Sequence, residues 1–412
     1  MIPRIRTRTL ALAYLCFKSN LFLRVVRLAT WQKIVWRGGV SRLFSKAPQE
    51  TKVMKRVGHI YEQIVSVENC RQAIYNAAQG KGRRKEVKHI LNFVNEYAQD
   101  LSVRLRNLDF LTPYRYKTIS DGLSGKEREL QIPSFYPDQC AHHAIVQVLK
   151  PIVEKSSYYW SCANMPKRGI DRACIGVERA TRKDPAHAKY CVKLDITKFY
   201  PSIPHDKLKA RLREVIKDEK ALAIMYCVID SHKPGIPIGN FTSPWFAELY
   251  LQPVDYFIKQ TMSVKYYIRY ADDMVLIDGN KKKLRNAMYK VIEFVKSLGV
   301  HIKQNYQLFR VYKNGRGRKI DFVGRCFGIG VTTIRKRRAL ALMRQSRVIM
   351  KLQAKKQPVP YKIAAGFMSR SACFKHTDSY GMKKKYYEPI NIRKVKEVIS
   401  NESKRKYLSR CA

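Results

Sequence analysis

The segment between residues 265 and 277 places two adjacent carboxylates at a tight turn between two apolar runs. It reads Lys265-Tyr-Tyr-Ile-Arg-Tyr-Ala-Asp272-Asp273-Met-Val-Leu-Ile277, with aromatic and β-branched residues on both sides of the pair. An Asp-Asp pair alone is weak evidence, because about one is expected by chance in a chain of this length. The flanking runs supply the specificity, since they predict two strands joined by a turn that carries the carboxylates. An exposed hairpin tip is the plainer interpretation.

A third aspartate follows another apolar run upstream. The sequence Tyr190-Cys-Val-Lys-Leu-Asp195-Ile-Thr-Lys-Phe-Tyr200-Pro-Ser-Ile203 predicts a strand that ends at Asp195 and is followed by aromatic residues. A carboxylate at the buried edge of a sheet is costly unless it is paired or bound to a metal. Two strand-borne aspartates and a third at a hairpin are the arrangement that holds two divalent ions for in-line phosphoryl transfer. Magnesium suits such hard oxygen ligands.

Hydrophobic periodicity divides the chain into regions of different character. Apolar residues recur at helical spacing from Val57 to Leu108, strand-like runs alternate with helices over 190–330, and basic helices return over 331–412. This pattern predicts an α+β fold. Residues 1–49 carry arginines but no acidic residue, and amphipathic patterning begins only after Met54. We interpret residues 1–53 as a basic extension outside the folded unit; a transit-like or secretory leader, or a start codon assigned too early, are the alternatives.

The charge of the chain points to a polyanionic partner. Lysine and arginine number 81 against 32 aspartate and glutamate, which gives a formal charge of +49. Because the basic residues are spread along almost the whole chain, they favour a long nucleic-acid track over a detachable basic arm. A structural RNA binder and a nucleic-acid enzyme fit this charge equally well. No apolar run approaches the roughly 18 residues of a membrane span, and the ten cysteines lack zinc-ligand spacing.

Three sequence motifs in order resemble the palm signatures of reverse transcriptases. They are the Asp195 segment, then Gly235-Ile-Pro-Ile-Gly-Asn-Phe-Thr-Ser243-Pro-Trp-Phe-Ala247, then Tyr270-Ala-Asp-Asp273. The resemblance implies an RNA-directed DNA polymerase with a right-hand fold of fingers, a palm with an antiparallel sheet, and a helical thumb. It assigns N-terminal helices and fingers to 54–190, the catalytic palm to 191–330 and the thumb to 331–412. It also implies two Mg²⁺ ions, with Mn²⁺ as a substitute, and an RNA template, a primer and an RNA–DNA hybrid as partners.

The resemblance assigns roles to residues of the catalytic centre. Asp195 and Asp272 are implied to be the main metal ligands, with Asp273 beside them and Ile196 in the same metal site. Tyr200, five residues after Asp195, is implied to be the steric gate whose ring excludes a ribose 2′-hydroxyl. Ordinary aromatic packing is the alternative for Tyr200.

Further residues are implied to bind the incoming deoxynucleoside triphosphate. The segment Gly122–Pro133 resembles the fingers hairpin of the family, and its Lys126 and Arg128 are suited to the triphosphate. A solvated basic hairpin is the alternative. Ile238 and Gly239 are implied to line the nucleotide site, where Gly239 lets the backbone approach a base or sugar closely.

The resemblance also implies that Lys303 is the general acid for the pyrophosphate. A surface lysine, one among many in this chain, is the alternative. Two helical features and one hairpin complete the prediction. Ser243 before Pro244 predicts a helix with the serine as its N-cap. Apolar residues from Leu284 to Leu298 predict an amphipathic helix that ends at Gly299. The segment 320–327 resembles the primer-grip hairpin.

The motif around Ile238 bears on the subfamily. Ile238-Gly-Asn-Phe-Thr-Ser243-Pro244 is similar to the Ile-Gly-x-x-x-Ser-Gln signature of diversity-generating retroelements, but Pro244 replaces the final glutamine. On the similarity that remains, we expect a bacterial or phage-encoded retroelement enzyme of the diversity-generating type, located in the cytoplasm. A defence-associated or abortive-infection enzyme, and an enzyme of group II intron type, are close alternatives. A structured noncoding RNA and a basic accessory protein are the expected partners, with no membrane association. The rival from another class is a non-catalytic RNA-binding protein that retains a polymerase fold.

Overall fold

A computed structural model describes residues 55–120 and 127–408, with side chains up to residue 402. The proposed extension at 1–53 lies outside these residues. The helices are α1 Tyr61–Val65, α2 Val67–Ala78, α3 Lys85–Asn92, α4 Val94–Arg106, α5 Cys140–Ser156, α6 Ile170–Glu178, α7 Phe199–Ser202, α8 His205–Val215, α9 Glu219–Asp230, α10 Ser243–Tyr256, α11 Lys281–Ser297, α12 Lys336–Ala354, α13 Tyr361–Ser371, α14 Tyr380–Tyr386 and α15 Ile392–Leu408. The strands are β1 Arg115–Ser120, β2 Glu127–Ile132, β3 Tyr190–Asp195, β4 Tyr266–Tyr270, β5 Asp273–Asp278, β6 Gln307–Arg310, β7 Ile320–Phe322, β8 Arg325–Gly328 and β9 Val331–Ile334.

The N-terminal helices form because apolar residues recur on one face of each. In α2 the buried residues Cys70, Ala73, Ile74 and Ala77 follow three-to-four spacing, so they form one stripe against α4 and α5. The Ser66 hydroxyl caps this helix by accepting a hydrogen bond from the main-chain N–H of Asn69. The predicted helices between Val57 and Leu108 are therefore confirmed.

A four-stranded antiparallel sheet in the order β4-β5-β3-β6 is the centre of the fold. Because side chains alternate across a strand, consecutive residues of β5 enter different cores. Met274 and Leu276 pack into the large core with α10 and α11, whereas Val275 and Ile277 pack into a second core with the β7–β9 meander. Both faces of the sheet are buried, which explains why its strands read as nearly continuous apolar runs.

Two smaller sheets and a separate helical core complete the described chain. β1 and β2 form a hairpin whose first strand is exposed along its whole length. β7, β8 and β9 form a meander, so the hairpin expected at 320–327 is present. The C-terminal helices bury a third apolar cluster that includes Leu342, Ile349 and Phe367. This mixture of helices and antiparallel sheets confirms the predicted α+β class.

The helix predicted around residues 284–298 is also confirmed, and it begins earlier than the apolar pattern showed. The Asn280 side chain caps α11 by accepting from the main-chain N–H of Lys283, and Gly299 follows the helix with φ of 92°. The predicted cap of α10 is wrong. The residue before the helix is Thr242, and the Ser243 hydroxyl instead donates to the Pro237 carbonyl. None of the helices in the described parts of the chain is long and apolar enough to cross a membrane.

Candidate active site

The three aspartates meet at one end of the central sheet. Asp195 is the last residue of β3 and lies opposite Asp273, the first residue of β5. β4 and β5 are joined by the two-residue turn Ala271-Asp272, because Tyr270 pairs with Asp273. Ala271 has φ of 54°, the left-handed backbone region that favours glycine. The predicted strand, turn and strand are thus present, and the register brings the upstream carboxylate beside the pair.

The carboxylates crowd one another. Asp195 lies within hydrogen-bonding reach of Asp272, and burial together with the charge of Asp195 raises the pKa of Asp272 to about 6. Burial also raises the pKa of Asp273 to about 6, with Lys193 opposing the shift and Asp195 adding to it. The buried Oδ1 atom of Asp273 has no hydrogen-bond partner. A divalent cation would satisfy this oxygen and offset the repulsion, so the donor set fits hard metal ions.

Two lysines hold the carboxylates in the described structure. The Lys303 ammonium lies 2.6 Å from Asp195 Oδ2, and the Lys303 main-chain N–H donates to the Asp195 carbonyl at 2.8 Å. The Lys193 ammonium lies 3.5 Å from Asp273 Oδ2. No cluster of three or more His, Cys, Asp or Glu side chains suited to a metal is found in residues 55–120 and 127–402. The carboxylates must therefore exchange lysine contacts for metal contacts to form a two-ion site.

Ile196 and Tyr200 lie next to this centre. The Ile196 side chain is fully buried and has no atom that could bind a metal. Its main-chain carbonyl is therefore the group of this residue that suits a metal. Burial, then the charges of Asp272 and Glu248, raise the pKa of the Tyr200 hydroxyl to about 12. The main chain of Tyr200 also contacts Gly235, where a Cβ atom would lie 2.3 Å from the Tyr200 carbonyl oxygen. This close approach fixes the aromatic residue against the loop of the central motif.

The Ile238–Gly239 loop is bonded to the strand that leads out of the fingers hairpin. The Gln131 main-chain N–H donates to the Ile238 carbonyl at 3.1 Å, and the Gln131 side-chain oxygen accepts from the Ile238 N–H at 2.9 Å. Gly239 has φ of 150°, and a Cβ atom there would lie 1.9 Å from the Gln131 carbonyl oxygen. Glycine is required because the two backbones touch. The two segments expected to contact the nucleotide are therefore joined directly.

Of the two fingers residues predicted to bind the triphosphate, the structure describes only Arg128. Lys126 lies outside the described residues. Arg128 lies on β2 opposite Ile119, and its side chain is exposed. It is three residues from Gln131, so the strand that carries it is attached to the Ile238 loop.

A buried charged cluster behind the turn was not predicted. Arg269 lies in β4, and it forms ion pairs with Glu248 and Asp255 of α10. The signal in the sequence was an arginine inside an apolar strand, together with two acidic residues seven positions apart, which share a helix face.

The central part of the chain is similar to a known protein family. Residues 124–315 match the family model described as "Reverse transcriptase (RNA-dependent DNA polymerase)". The "Uncharacterized 91 kDa protein in cob intron" of Schizosaccharomyces pombe is 30% identical over 164 residues, which cover 37% of this chain and 19% of that protein. The "Putative COX1/OXI3 intron 2 protein" of Saccharomyces cerevisiae is 20% identical over 357 residues, which cover 70% of this chain and 40% of that protein. The chain thus spans less than half the length of either relative.

Solved telomerases show limited similarity. The Candida albicans telomerase in complex with a TWJ fragment of telomeric RNA is 12% identical with a TM-score of 0.44, over 71% of this chain and 61% of that chain. The apo telomerase of Candida tropicalis is 11% identical with a TM-score of 0.44, over 77% and 63%.

The antiparallel sheet, with aspartates at a strand end and at a hairpin turn, is the palm of a right-hand polymerase. The match to the reverse transcriptase family model covers residues 124–315, and members of that family synthesise DNA on an RNA template. Enzymes of this class use divalent metal ions and RNA templates.

Proposed function

We propose that the protein is an RNA-directed DNA polymerase that makes cDNA by two-metal nucleotidyl transfer, with Asp195, Asp272 and Asp273 as its catalytic carboxylates. The observation that carries the proposal is that the strand register brings Asp195, Asp272 and Asp273 together at one end of the sheet, where burial and then the charge of Asp195 raise the pKa of Asp272 to about 6. A protein that only bound RNA would gain nothing from repelling carboxylates facing its polyanionic ligand.

The proposed metal site consists of these three carboxylates and the main-chain carbonyl of Ile196. When bound, two Mg²⁺ ions, or Mn²⁺ in their place, would activate the primer 3′-hydroxyl and stabilise the leaving pyrophosphate. Lys303 is held at the site by its main-chain bond to Asp195, so its ammonium stays close after the carboxylate takes a metal. We assign it the transfer of a proton to the leaving pyrophosphate.

The nucleotide pocket in this proposal is formed around Tyr200, Ile238 and Gly239. The Tyr200 ring acts as the steric gate beneath the sugar, and its contact with Gly235 restricts its main chain. Arg128, on the strand attached to the Ile238 loop, binds the triphosphate in this proposal. Lys126, which lies outside the described residues, is assigned to the same ligand from the sequence motif alone. The bonds between Gln131 and Ile238 support this arrangement, because they join the fingers hairpin to the pocket wall.

The relatives support one biological setting for the proposed enzyme. Both curated proteins are named for introns, and neither is described as a diversity-generating or defence protein. We therefore place the enzyme with intron-encoded reverse transcriptases ahead of the diversity-generating and defence types. A structured intron RNA is the proposed partner and template, and the charge of +49 supports extensive phosphate contacts with it.

Primer extension on an RNA template tests the activity. The wild type should incorporate deoxynucleotides in the presence of Mg²⁺, and Asp272→Ala should lower incorporation by at least about a thousandfold while RNA affinity stays within twofold. Glu293→Gln, which changes an exposed carboxylate on α11, is the matched control and should be fully active. Folded, RNA-bound wild type that makes no DNA with either Mg²⁺ or Mn²⁺ would favour the non-catalytic RNA-binding protein.

A further inference from the structure

The buried cluster around Arg269 has a bonding pattern that ordinary core packing does not require. Arg269 is the largest fully buried side chain in the described part of the protein, at 1% exposure. Its partners Glu248 and Asp255 are equally enclosed, at 3% and 0%. The cluster adjoins the turn that carries Asp272, because the Arg269 guanidinium donates to the carbonyl of Ala271 in that turn.

Every N–H of the Arg269 guanidinium has a partner. Nε donates to Asp255 Oδ1 at 2.7 Å, and Nη2 donates to Asp255 Oδ2 at 2.6 Å and to Glu248 Oε1 at 3.0 Å. Nη1 donates to Glu248 Oε2 at 3.2 Å and to the main-chain carbonyl of Ala271 at 3.1 Å. These five bonds use all five donors of the side chain. Four of them anchor the guanidinium to α10, and the fifth reaches the catalytic turn.

The carboxylates are themselves fixed. The Tyr267 hydroxyl donates to Asp255 Oδ1 at 2.7 Å, and the Ser161 hydroxyl donates to Glu248 Oε2 at 2.9 Å. Burial alone lowers the pKa of Arg269, but the charges of Asp255 and Glu248 outweigh it and hold that pKa well above its ordinary value. The guanidinium is therefore a permanent charge in a rigid setting.

The main chain of Arg269 is held as well. Its N–H donates to the Trp160 carbonyl at 3.0 Å, and its carbonyl accepts from the Cys162 N–H at 2.9 Å. On its other edge β4 pairs with β5. The strand is thus fixed up to Tyr270, while the turn that follows contains Ala271 with φ of 54° and carries a carboxylate repelled by its neighbour.

Stability alone does not explain such a cluster. Apolar side chains of similar volume often replace a buried ion cluster at no cost in stability, and this one leaves two carboxylates opposite a single guanidinium. What an apolar side chain cannot provide is a fixed donor at the turn carbonyl. The left-handed conformation of a non-glycine residue is unfavourable, and a donor held from behind offsets that cost.

We infer that the buried Arg269 guanidinium is a positioning group that fixes the main chain at Ala271 and thereby holds the Asp272 carboxylate in the metal site. The inference rests on the proposed function for its kinetic consequences. It concerns the affinity of the carboxylate site for a cation even if no DNA is made. Glu248 and Asp255 act through Arg269 by setting its orientation.

Arg269→Lys is the principal test, because a lysine keeps the charge but has three donors at one point and cannot bond both carboxylates and the turn. Mn²⁺ binding, followed by the electron paramagnetic resonance signal of the free ion, should weaken about tenfold, equivalent to about 1.4 kcal/mol. In primer extension, kcat should fall at least about tenfold and half-saturating Mg²⁺ should rise about tenfold. The Kd for template–primer and the KM for deoxynucleotides should stay within twofold. Arg106→Lys, at an exposed ion pair with Glu62, is the matched control and should change none of these.

The outcomes separate the inference from the proposed function. Folded Arg269→Lys with wild-type Mn²⁺ affinity and kcat overturns the positioning role and leaves the polymerase assignment intact. Weaker Mn²⁺ binding in Arg269→Lys, with no DNA synthesis by the wild type, supports positioning and overturns the polymerase assignment. If Arg269→Lys does not fold, Glu248→Gln decides, because it keeps shape and volume while weakening the hold on Nη1. A Mn²⁺ affinity reduced about threefold supports the inference, and an unchanged affinity refutes it.

Discussion

Replacing Asp272 with asparagine should stabilise the metal-free protein while removing its activity. Burial and the neighbouring Asp195 raise the pKa of the Asp272 carboxyl from an ordinary 3.8 to about 6. The folded state therefore binds a proton more tightly than the unfolded state does. The stability associated with this group is fully present below pH 3.8 and is lost as pH rises through 6. At neutral pH the ionised side chain opposes folding, and asparagine removes that opposition.

The size of the effect follows from the pKa difference. Each tenfold change in a proton dissociation constant corresponds to about 1.4 kcal/mol, so the full penalty is about 3 kcal/mol. Because Asp272 is only half-buried and shares its charge interactions with Asp195, we expect about half of this, about 1.5 kcal/mol, in the free energy of unfolding. In a chain of this size that is about 2 °C in Tm. The gain should be largest above pH 6.5, about half as large at pH 5, and nearly absent at pH 4.

Urea and thermal denaturation in the presence of EDTA, at pH 7.5, 5 and 4, measure the effect. Glu293→Gln is the control for loss of one negative charge from a strongly basic protein, and its effect should not follow the same pH course. Mg²⁺ should narrow the difference between wild type and Asp272→Asn, because the ion stabilises only the site with its carboxylate intact. An Asp272→Asn protein that is less stable than the wild type at pH 7.5, or a gain independent of pH, would refute the reasoning.

Three further substitutions test other contacts of the site. Lys303→Met should lower the single-turnover rate of nucleotide addition about a hundredfold with little change in RNA affinity, and an unchanged rate would exclude the proton-transfer role. Tyr200→Ala should raise ribonucleotide relative to deoxynucleotide incorporation at least about tenfold in a competition assay; equal discrimination would leave Tyr200 as a packing residue. Gly239→Ala should lower nucleotide incorporation at least about tenfold because its Cβ meets the Gln131 carbonyl, whereas Gly82→Ala, in open space, should be silent.

The sequence was sufficient to predict the strands and the turn that carry the carboxylates. Strand β3 ends at Asp195 and the hairpin turns at Asp272, as the apolar runs indicated, because both faces of this sheet are buried and its strands are correspondingly apolar. The α11 helix was predicted because its buried apolar residues recur at helical spacing on one face. The cap of α10 was not, since Ser243 uses its hydroxyl on the Pro237 carbonyl, a contact six residues back that spacing rules do not anticipate.

The contacts that adjust the site could not be predicted, because each joins segments far apart in the chain. Lys303 reaches Asp195 across 108 positions, and the Gln131 side chain reaches Ile238 across 107. Because the chain contains many lysines, its composition does not indicate which one pairs with Asp195. A glycine in a motif indicates close approach, but only the fold shows that the approaching backbone is that of Gln131.

The residues around the three aspartates stabilise the candidate site, because the crowded carboxylates at its centre repel one another. Asp272 and Asp273 both have their pKa raised to about 6, so the ion-free centre opposes folding at neutral pH. The partly exposed Lys193 and Lys303 and the buried Arg269 cluster offset this repulsion in different ways. The lysines contact the carboxylates themselves and would have to yield to a cation of the proposed metal site, whereas Arg269 bonds the main chain and need not move. A site organised in this way keeps its geometry while its charge partners are exchanged, as the proposed repeated nucleotide addition would require.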